Sequence, residues 1–256
     1  MSGGVHIQVQ GRGPPLVLLH GWAMHGGVFG DWLARLAERH TVHVVDLPGH
    51  GHSRHATVPL HLEAVVATVL AQVPQPAQWC GWSLGGLFAL HAALQHPQRV
   101  TQLVMLCATP CFVRRPDWPH AVAGEVFDGF AQGLQADEAG TLQRFVALQA
   151  AGSAQPREET RRLRQALLAR DPPSAAALAQ GLALLQHTDL RAALPQLPMP
   201  SLWLAGAGDL LAPPQALAMA AALAPHARHA VIEHAGHAPF LMHAEALMRH
   251  WRDNGA

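Results

Sequence analysis

Six short apolar runs recur along the chain, at residues 16–19, 41–45, 78–80, 102–107, 201–205 and 228–232. A strand with one wet face alternates apolar and polar residues, whereas runs that stay apolar suit parallel strands covered on both faces. Segments with helical apolar spacing lie between several of them, at 28–39, 60–72, 84–96 and 214–223. Strand, helix, strand repetition predicts an α/β fold with a mostly parallel, doubly wound sheet. Half of the 256 residues are apolar, enough for one sizeable core, so the expectation is a single domain over 1–256.

The rhythm breaks between about 110 and 195. That stretch holds no run of strand type, carries amphipathic helical patterns at 138–150 and 158–168, and is punctuated by Pro116, Pro119, Pro156, Pro172 and Pro173. It reads as a helical lid inserted into a core formed by about 1–109 and 196–256. The alanine-rich stretch 174–185 is helix-prone, and the tail after Trp251 is expected to fray.

Gly81-Trp82-Ser83-Leu84-Gly85-Gly86 joins the run 78–80 to the helical pattern starting at Leu84. A serine on so sharp a strand-to-helix turn needs small residues two positions before and after it, which Gly81 and Gly85 supply. Such a turn exposes the hydroxyl and aims the Leu84 amide and the helix N-terminus at a developing oxyanion. A plain glycine-rich turn is the competing reading of these letters alone; the strand before and helix after favour a nucleophile. His20-Gly21-Trp22 follows the run 16–19, where a loop can supply a second donor, the Trp22 amide.

Asp209 follows the run 201–205, at the carboxyl end of a strand where open parallel sheets hold their sites. His237 follows the last run. The order Ser83, Asp209, His237 suits a nucleophile, an orienting carboxylate and a general base, since a serine hydroxyl is inert until a neutral imidazole takes its proton. His234 reads instead as a cap or packing group, Asp46 as a brace for residues 46–53 through side-chain-to-backbone bonds, and Asp189 as a helix cap. The chemistry needs no metal or organic cofactor. His50 and His52 tempt a metal reading, but a third and fourth ligand cannot be assembled from sequence. Cys80 and Cys107 read as core, and Cys111 as a candidate for the pocket wall.

Lys and Arg together equal Asp and Glu at 17 each, which gives no overall field to hold nucleic acid or an anionic membrane. Three cysteines without metal-site spacing suit a reducing compartment, and the first ten residues lack the charged start and apolar stretch of a signal peptide. No uninterrupted run approaches the roughly 20 apolar residues of a membrane span. A cytoplasmic monomer is the expectation.

His20-Gly21-Trp22, Val45-Asp46-Leu47-Pro48-Gly49-His50-Gly51, the Ser83 turn and Gly236-His237-Ala238-Pro239-Phe240 together resemble the α/β-hydrolase superfamily over nearly the whole chain. More narrowly, the Ser83 turn, Pro110-Cys111-Phe112 with Asp117-Trp118-Pro119, Arg144 to Gln149 and Thr188-Asp189-Leu190-Arg191 resemble the pimeloyl-acyl-carrier-protein methyl ester esterases of biotin synthesis. That resemblance implies removal of a methyl ester from a pimeloyl chain on acyl carrier protein. It implies Ser83, Asp209 and His237 as catalytic residues, oxyanion and substrate contacts at Trp22 and Leu84, and pocket lining by Phe145, Val146, Ala147, Leu148 and Gln149.

Between Arg144 and Arg170 arginines outnumber glutamates. Arg144, Arg157, Arg161, Arg162 and Arg164 would give the lid a basic surface that steers an acidic carrier protein; a solvated helix face balanced by Glu158 and Glu159 is the alternative. Fold and triad do not fix a substrate, so a generalist esterase or lactonase, a carbon–carbon bond hydrolase and a non-catalytic binding protein of the same fold stay open. Haloalkane dehalogenase chemistry is disfavoured, because it needs a carboxylate where Ser83 stands.

Overall fold

The computed structural model describes residues 4–253. Seven strands form one sheet: β1 (Ile7–Gly11), β2 (Pro15–Leu19), β3 (Thr41–Val45), β4 (Ala77–Trp82), β5 (Val100–Leu106), β6 (Ser201–Gly206) and β7 (Ala227–Ile232), in the order β1-β3-β2-β4-β5-β6-β7. All neighbouring pairs are parallel except β1 with β3. The six expected strands are present. β1 is additional, an antiparallel edge strand whose sequence Ile-Gln-Val-Gln-Gly alternates and whose burial is partial, so it lacks the continuous apolar signature of the others.

Side chains alternate across the sheet and feed two cores. Val17, Leu19, Trp79, Leu103, Met105, Trp203 and Ala205 face one side, against α2 (Leu62–Gln72), α3 (Leu84–Gln95) and α8 (Pro214–Leu223). Leu16, Leu18, Cys80, Val104, Leu106, Leu202 and Leu204 face the other, which is covered by Trp32 and Leu36 of α1 (Gly30–Ala37) and Leu247 and Trp251 of α9 (Ala244–Asp253). Each large apolar side chain so enclosed contributes roughly 1.5–3 kcal/mol relative to exposure. The tail after Trp251, expected to fray, continues in α9 to Asp253, and its remainder, 254–256, lies outside the described residues.

Between β5 and β6 the described chain holds four helices and no named strand: α4 (Gly124–Ala136), α5 (Glu138–Ala150), α6 (Pro156–Leu168) and α7 (Ala175–His187). Asp137 and Ser174 cap α5 and α7 by accepting from Gly140 and Ala177 amides, and Pro156 opens α6. α4 gave no sequence signal because only Phe127 is buried along it and three glycines interrupt it.

The insertion is strapped to the core through polar groups. Asp46 accepts from the Gly26 amide at 2.7 Å and the His52 amide at 2.8 Å, as the sequence suggested. It also pairs at 2.6 Å with Arg170, just beyond α6, which the sequence did not reveal. Beneath it, the His20 ring donates to the Gly21 carbonyl and accepts from the Leu47 amide. His50 donates to the Pro48 carbonyl. Burial, with His50 nearby, lowers His20 to about 3, and burial lowers His50 to about 4.

Both rings are therefore neutral in the folded chain while the unfolded chain takes up their protons below pH 6.5, so stability is complete above that pH and declines as pH falls. Each contributes a slope of up to about 1.4 kcal/mol per pH unit. Thermal unfolding followed between pH 7.5 and 4.5 should show a falling Tm whose slope is shallower in His50→Gln; a flat profile contradicts the assignment.

Candidate active site

β4 ends at Trp82 and α3 begins at Leu84, leaving one residue to turn the chain. Ser83 does so at φ 55° and ψ −123°, a left-handed conformation costly for a residue with a Cβ. Its amide donates to the Leu106 carbonyl and its carbonyl accepts from the Gly86 amide. A Cβ on Gly81 would strike the Gly85 carbonyl, and one on Gly85 would strike the Leu19 carbonyl, so strand, turn and helix approach as closely as they do only with glycine at both positions.

The carboxyl ends of β6 and β7 bring Asp209 and His237 to that turn. His237 Nε2 lies 2.8 Å from Ser83 Oγ, and Nδ1 lies 2.8 and 2.9 Å from the two Asp209 oxygens. The carboxylate can only accept from Nδ1, which leaves Nε2 to accept the serine proton. Asp209 Oδ1 also takes the Leu211 and Ala212 amides at 2.8 and 3.0 Å, fixing its orientation. Two anchors hold the imidazole backbone: the His237 amide donates to the Gln149 carbonyl at 3.0 Å, and its carbonyl accepts from the Trp82 indole at 2.7 Å. Ser83, Asp209 and His237 are 4%, 3% and 0% exposed, so proton exchange among them is shielded from bulk water.

Leu84 is the first residue of α3, where amides have no partner within the helix. Gly21 packs on the turn, since a Cβ built there would sit 3.1 Å from Ser83 Cβ. The loop carrying Trp22 therefore stands against the Ser83 side chain. Its indole crosses to the insertion, donating to the Leu178 carbonyl at 2.9 Å and meeting Phe145 edge-on at 4.7 Å.

The run 145–149 does not face one way, because it lies on α5. Phe145 and Leu148 join the core that contains Trp22 and Leu84, Val146 joins the opposite cluster with Leu163, and Ala147 is exposed. Gln149 is buried, and neither atom of its side-chain amide finds a hydrogen-bond partner among the described residues. A surface hollow of about 720 Å³ near Trp118, Arg191 and Met219 lies apart from Ser83.

Other expectations need correction. His234 neither caps nor packs: it is exposed at φ 65°, and its carbonyl accepts from the Ala154 amide. Cys111 folds back on its own loop, its thiol on the Val113 carbonyl and its carbonyl on the Trp118 indole. Asp189, in line with the cap reading, accepts from the Arg191 amide and guanidinium at the start of the short turn 191–196. Glu159, which the alternative reading of the lid arginines placed on a solvated face, is buried.

His50 and His52 point apart. His52 meets His6 at 4.7 Å, and His6, Asp46 and His52 place three ligand-type atoms within 4.8 Å of one another, but Asp46 is already engaged by Arg170. Cys107, which sequence placed only in the core, forms a second such group with Asp209 and His237. Burial and the Asp209 charge push its thiol well above the usual range. Ser83 and Asp209 occupy both imidazole nitrogens there, so an ion would displace the relay.

An α/β-hydrolase fold family model matches residues 14–244. The chain belongs to the α/β-hydrolase fold family. Within that family, this hydrolase is 58% identical over 243 residues to the pimeloyl-acyl-carrier-protein methyl ester esterase of Stenotrophomonas maltophilia K279a, covering 95% of this chain and 93% of that one. It is 57% identical over 249 residues to the enzyme of the same name from Xanthomonas oryzae pv. oryzae, covering 96% and 98%. Among solved structures, an esterase from Exiguobacterium antarcticum superposes with a TM-score of 0.84 at 23% identity, over 97% of this chain and 94% of that one, a likeness of fold.

If the three groups act as one relay, Ser83→Ala abolishes turnover of a p-nitrophenyl ester, and Asp209→Asn lowers kcat on the order of 10³–10⁴-fold by freeing the wrong tautomer. Near wild-type kcat for Asp209→Asn, with the fold intact by circular dichroism, contradicts the relay.

Proposed function

We propose that this hydrolase removes the methyl ester from a pimeloyl chain carried on acyl carrier protein, releasing methanol and the free carboxylate, as a step of biotin synthesis. The observation that carries the reading is identity of 57–58% with esterases of that name over nearly their whole length, the inserted helices included.

Ser83 Oγ attacks the ester carbonyl as its proton passes to His237 Nε2, forming a tetrahedral oxyanion. The Leu84 and Trp22 amides receive that oxyanion, each such donor contributing about 3 kcal/mol of transition-state stabilisation. The oxyanion collapses with methanol leaving and His237 returning the proton to it. Water then attacks the acyl-enzyme with His237 as base, and Ser83 is released with the carboxylate. Throughout, Asp209 keeps Nδ1 protonated and stabilises the imidazolium. Residues of the insertion, acting as a lid, line the acyl channel: Phe145 and Leu148 lie on the Trp22 side, and the buried amide of Gln149 offers a donor and an acceptor.

The outer face of the lid suits an acidic carrier. Arg161 and Arg162 bind Glu158 and hold its carboxyl well below the usual range through their hydrogen bonds, so their charge is partly spent. Arg144, Arg157 and Arg164 are exposed with no carboxylate partner among the described residues. We place the enzyme in the cytosol as a monomer: its three cysteines are free and buried, no helix among the described residues is long and apolar enough to cross a membrane, and the relay is complete within one chain.

Arg144→Glu combined with Arg157→Glu should raise KM for the carrier-bound methyl ester about tenfold at low salt while leaving a short p-nitrophenyl ester unchanged. Equal effects on both substrates refute the docking role, and wild-type activity on the short ester alone refutes the carrier substrate.

A further inference from the structure

α6 presents Arg157 and Arg161 to solvent, yet Glu159 between them is 1% exposed. Its position follows from helical spacing, four residues before the fully buried Leu163. The carboxylate lies against the turn that carries His237: a Cβ on Gly236 would sit 3.4 Å from both Glu159 Oε1 and Ser153 Cβ. Neither oxygen meets a donor at good hydrogen-bonding geometry among the described residues, although the Ser153 hydroxyl and the Ala238 amide are close enough to favour its ionised form.

The titratable groups that bear on Glu159 come from three elements: Cys107 after β5, Asp209 after β6 and His237 after β7. Arg162, one turn along, is committed to Glu158 and the Leu241 carbonyl. Among the described groups that bear most on Glu159, the one that becomes a cation is His237, whose imidazolium forms during the reaction.

We propose that Glu159 is a positioning residue of the relay, a second buried carboxylate that braces the 236–238 turn from behind and favours the His237 cation as Ser83 gives up its proton. The inference rests on the relay reading of Ser83, Asp209 and His237. No bond to substrate is involved: the proton still moves from Ser83 Oγ to His237 Nε2, and Glu159 acts through its field and its packing. Burial weakens it as an acid, while His237 pulls the other way, so ionisation of Glu159 and protonation of His237 favour each other.

The test is Glu159→Gln, of equal size and without charge, assayed with a short p-nitrophenyl ester from pH 5 to 9 beside Ser83→Ala. Removing a negative charge makes the imidazole a weaker base, so the acid limb of kcat/KM moves to lower pH by on the order of half a unit or more. KM stays within about twofold, kcat at the plateau falls by about tenfold, and Glu159→Asp recovers part of the loss. Glu159→Met, apolar and of similar length, serves the same comparison should the amide prevent folding. A folded Gln or Met variant whose acid limb coincides with the wild type overturns the proposal, whatever its Tm. Activity persisting in Ser83→Ala would instead overturn the relay reading beneath it.

Discussion

Six strands of the sheet run parallel, so their carboxyl ends emerge along one edge, and everything chemical in the molecule depends on that direction. The loops after β4, β5, β6 and β7 carry Ser83, Cys107, Asp209 and His237, while the loop after β2 brings Gly21 against the Ser83 side chain. Residues more than a hundred positions apart meet at 2.8 Å without any long-range feature beyond strand register. The turn at Ser83 is the point of greatest demand, since a left-handed serine must be held there by its neighbours. The Leu106 carbonyl holds the serine amide, and Gly81 and Gly85 let helix and strand close around it.

The inserted helices are part of the site rather than a cover laid over it. The Gln149 carbonyl on α5 anchors the His237 amide, the Leu178 carbonyl on α7 anchors the Trp22 indole, and Arg170 beyond α6 anchors Asp46. Each bond crosses from insertion to core; those of Gln149 and Leu178 are buried, where an unmade hydrogen bond costs about 1–3 kcal/mol, and that of Arg170 is partly so. Glu159 belongs to the same arrangement: α6 turns arginines outward and one carboxylate inward, toward the histidine turn.

The sheet and the relay were legible because their signals are local. Continuous apolar runs mark buried strands, and a serine between glycines at a strand-to-helix junction has few structural uses. β1 escaped because an edge strand alternates, and α4 because glycines and a single buried Phe127 blur its period. α9 did carry a readable pattern, with Leu247, Met248 and Trp251 spaced on one face. The contacts of Cys107, Trp82 and the Gln149 carbonyl depend on tertiary approach and leave no trace in the letters. Glu159 was half legible: its charge looked like a surface counter-ion, but its spacing to Leu163 and Leu167 places it on the buried stripe of α6. The five residues 145–149 lie on α5 and spread round it, Phe145 and Leu148 on the Trp22 side and Val146 on the other, a division that helical spacing sets and a contiguous run of letters hides.

Every contact in the site has meaning only if Ser83 is the group that its neighbours activate. Peptide mass spectrometry after reaction with a serine-directed fluorophosphonate measures this most directly. One adduct per chain on the peptide containing Ser83, slowed in His237→Ala and missing in Ser83→Ala, is the result the structure predicts. An adduct on another residue, or labelling undiminished in Ser83→Ala, would contradict it.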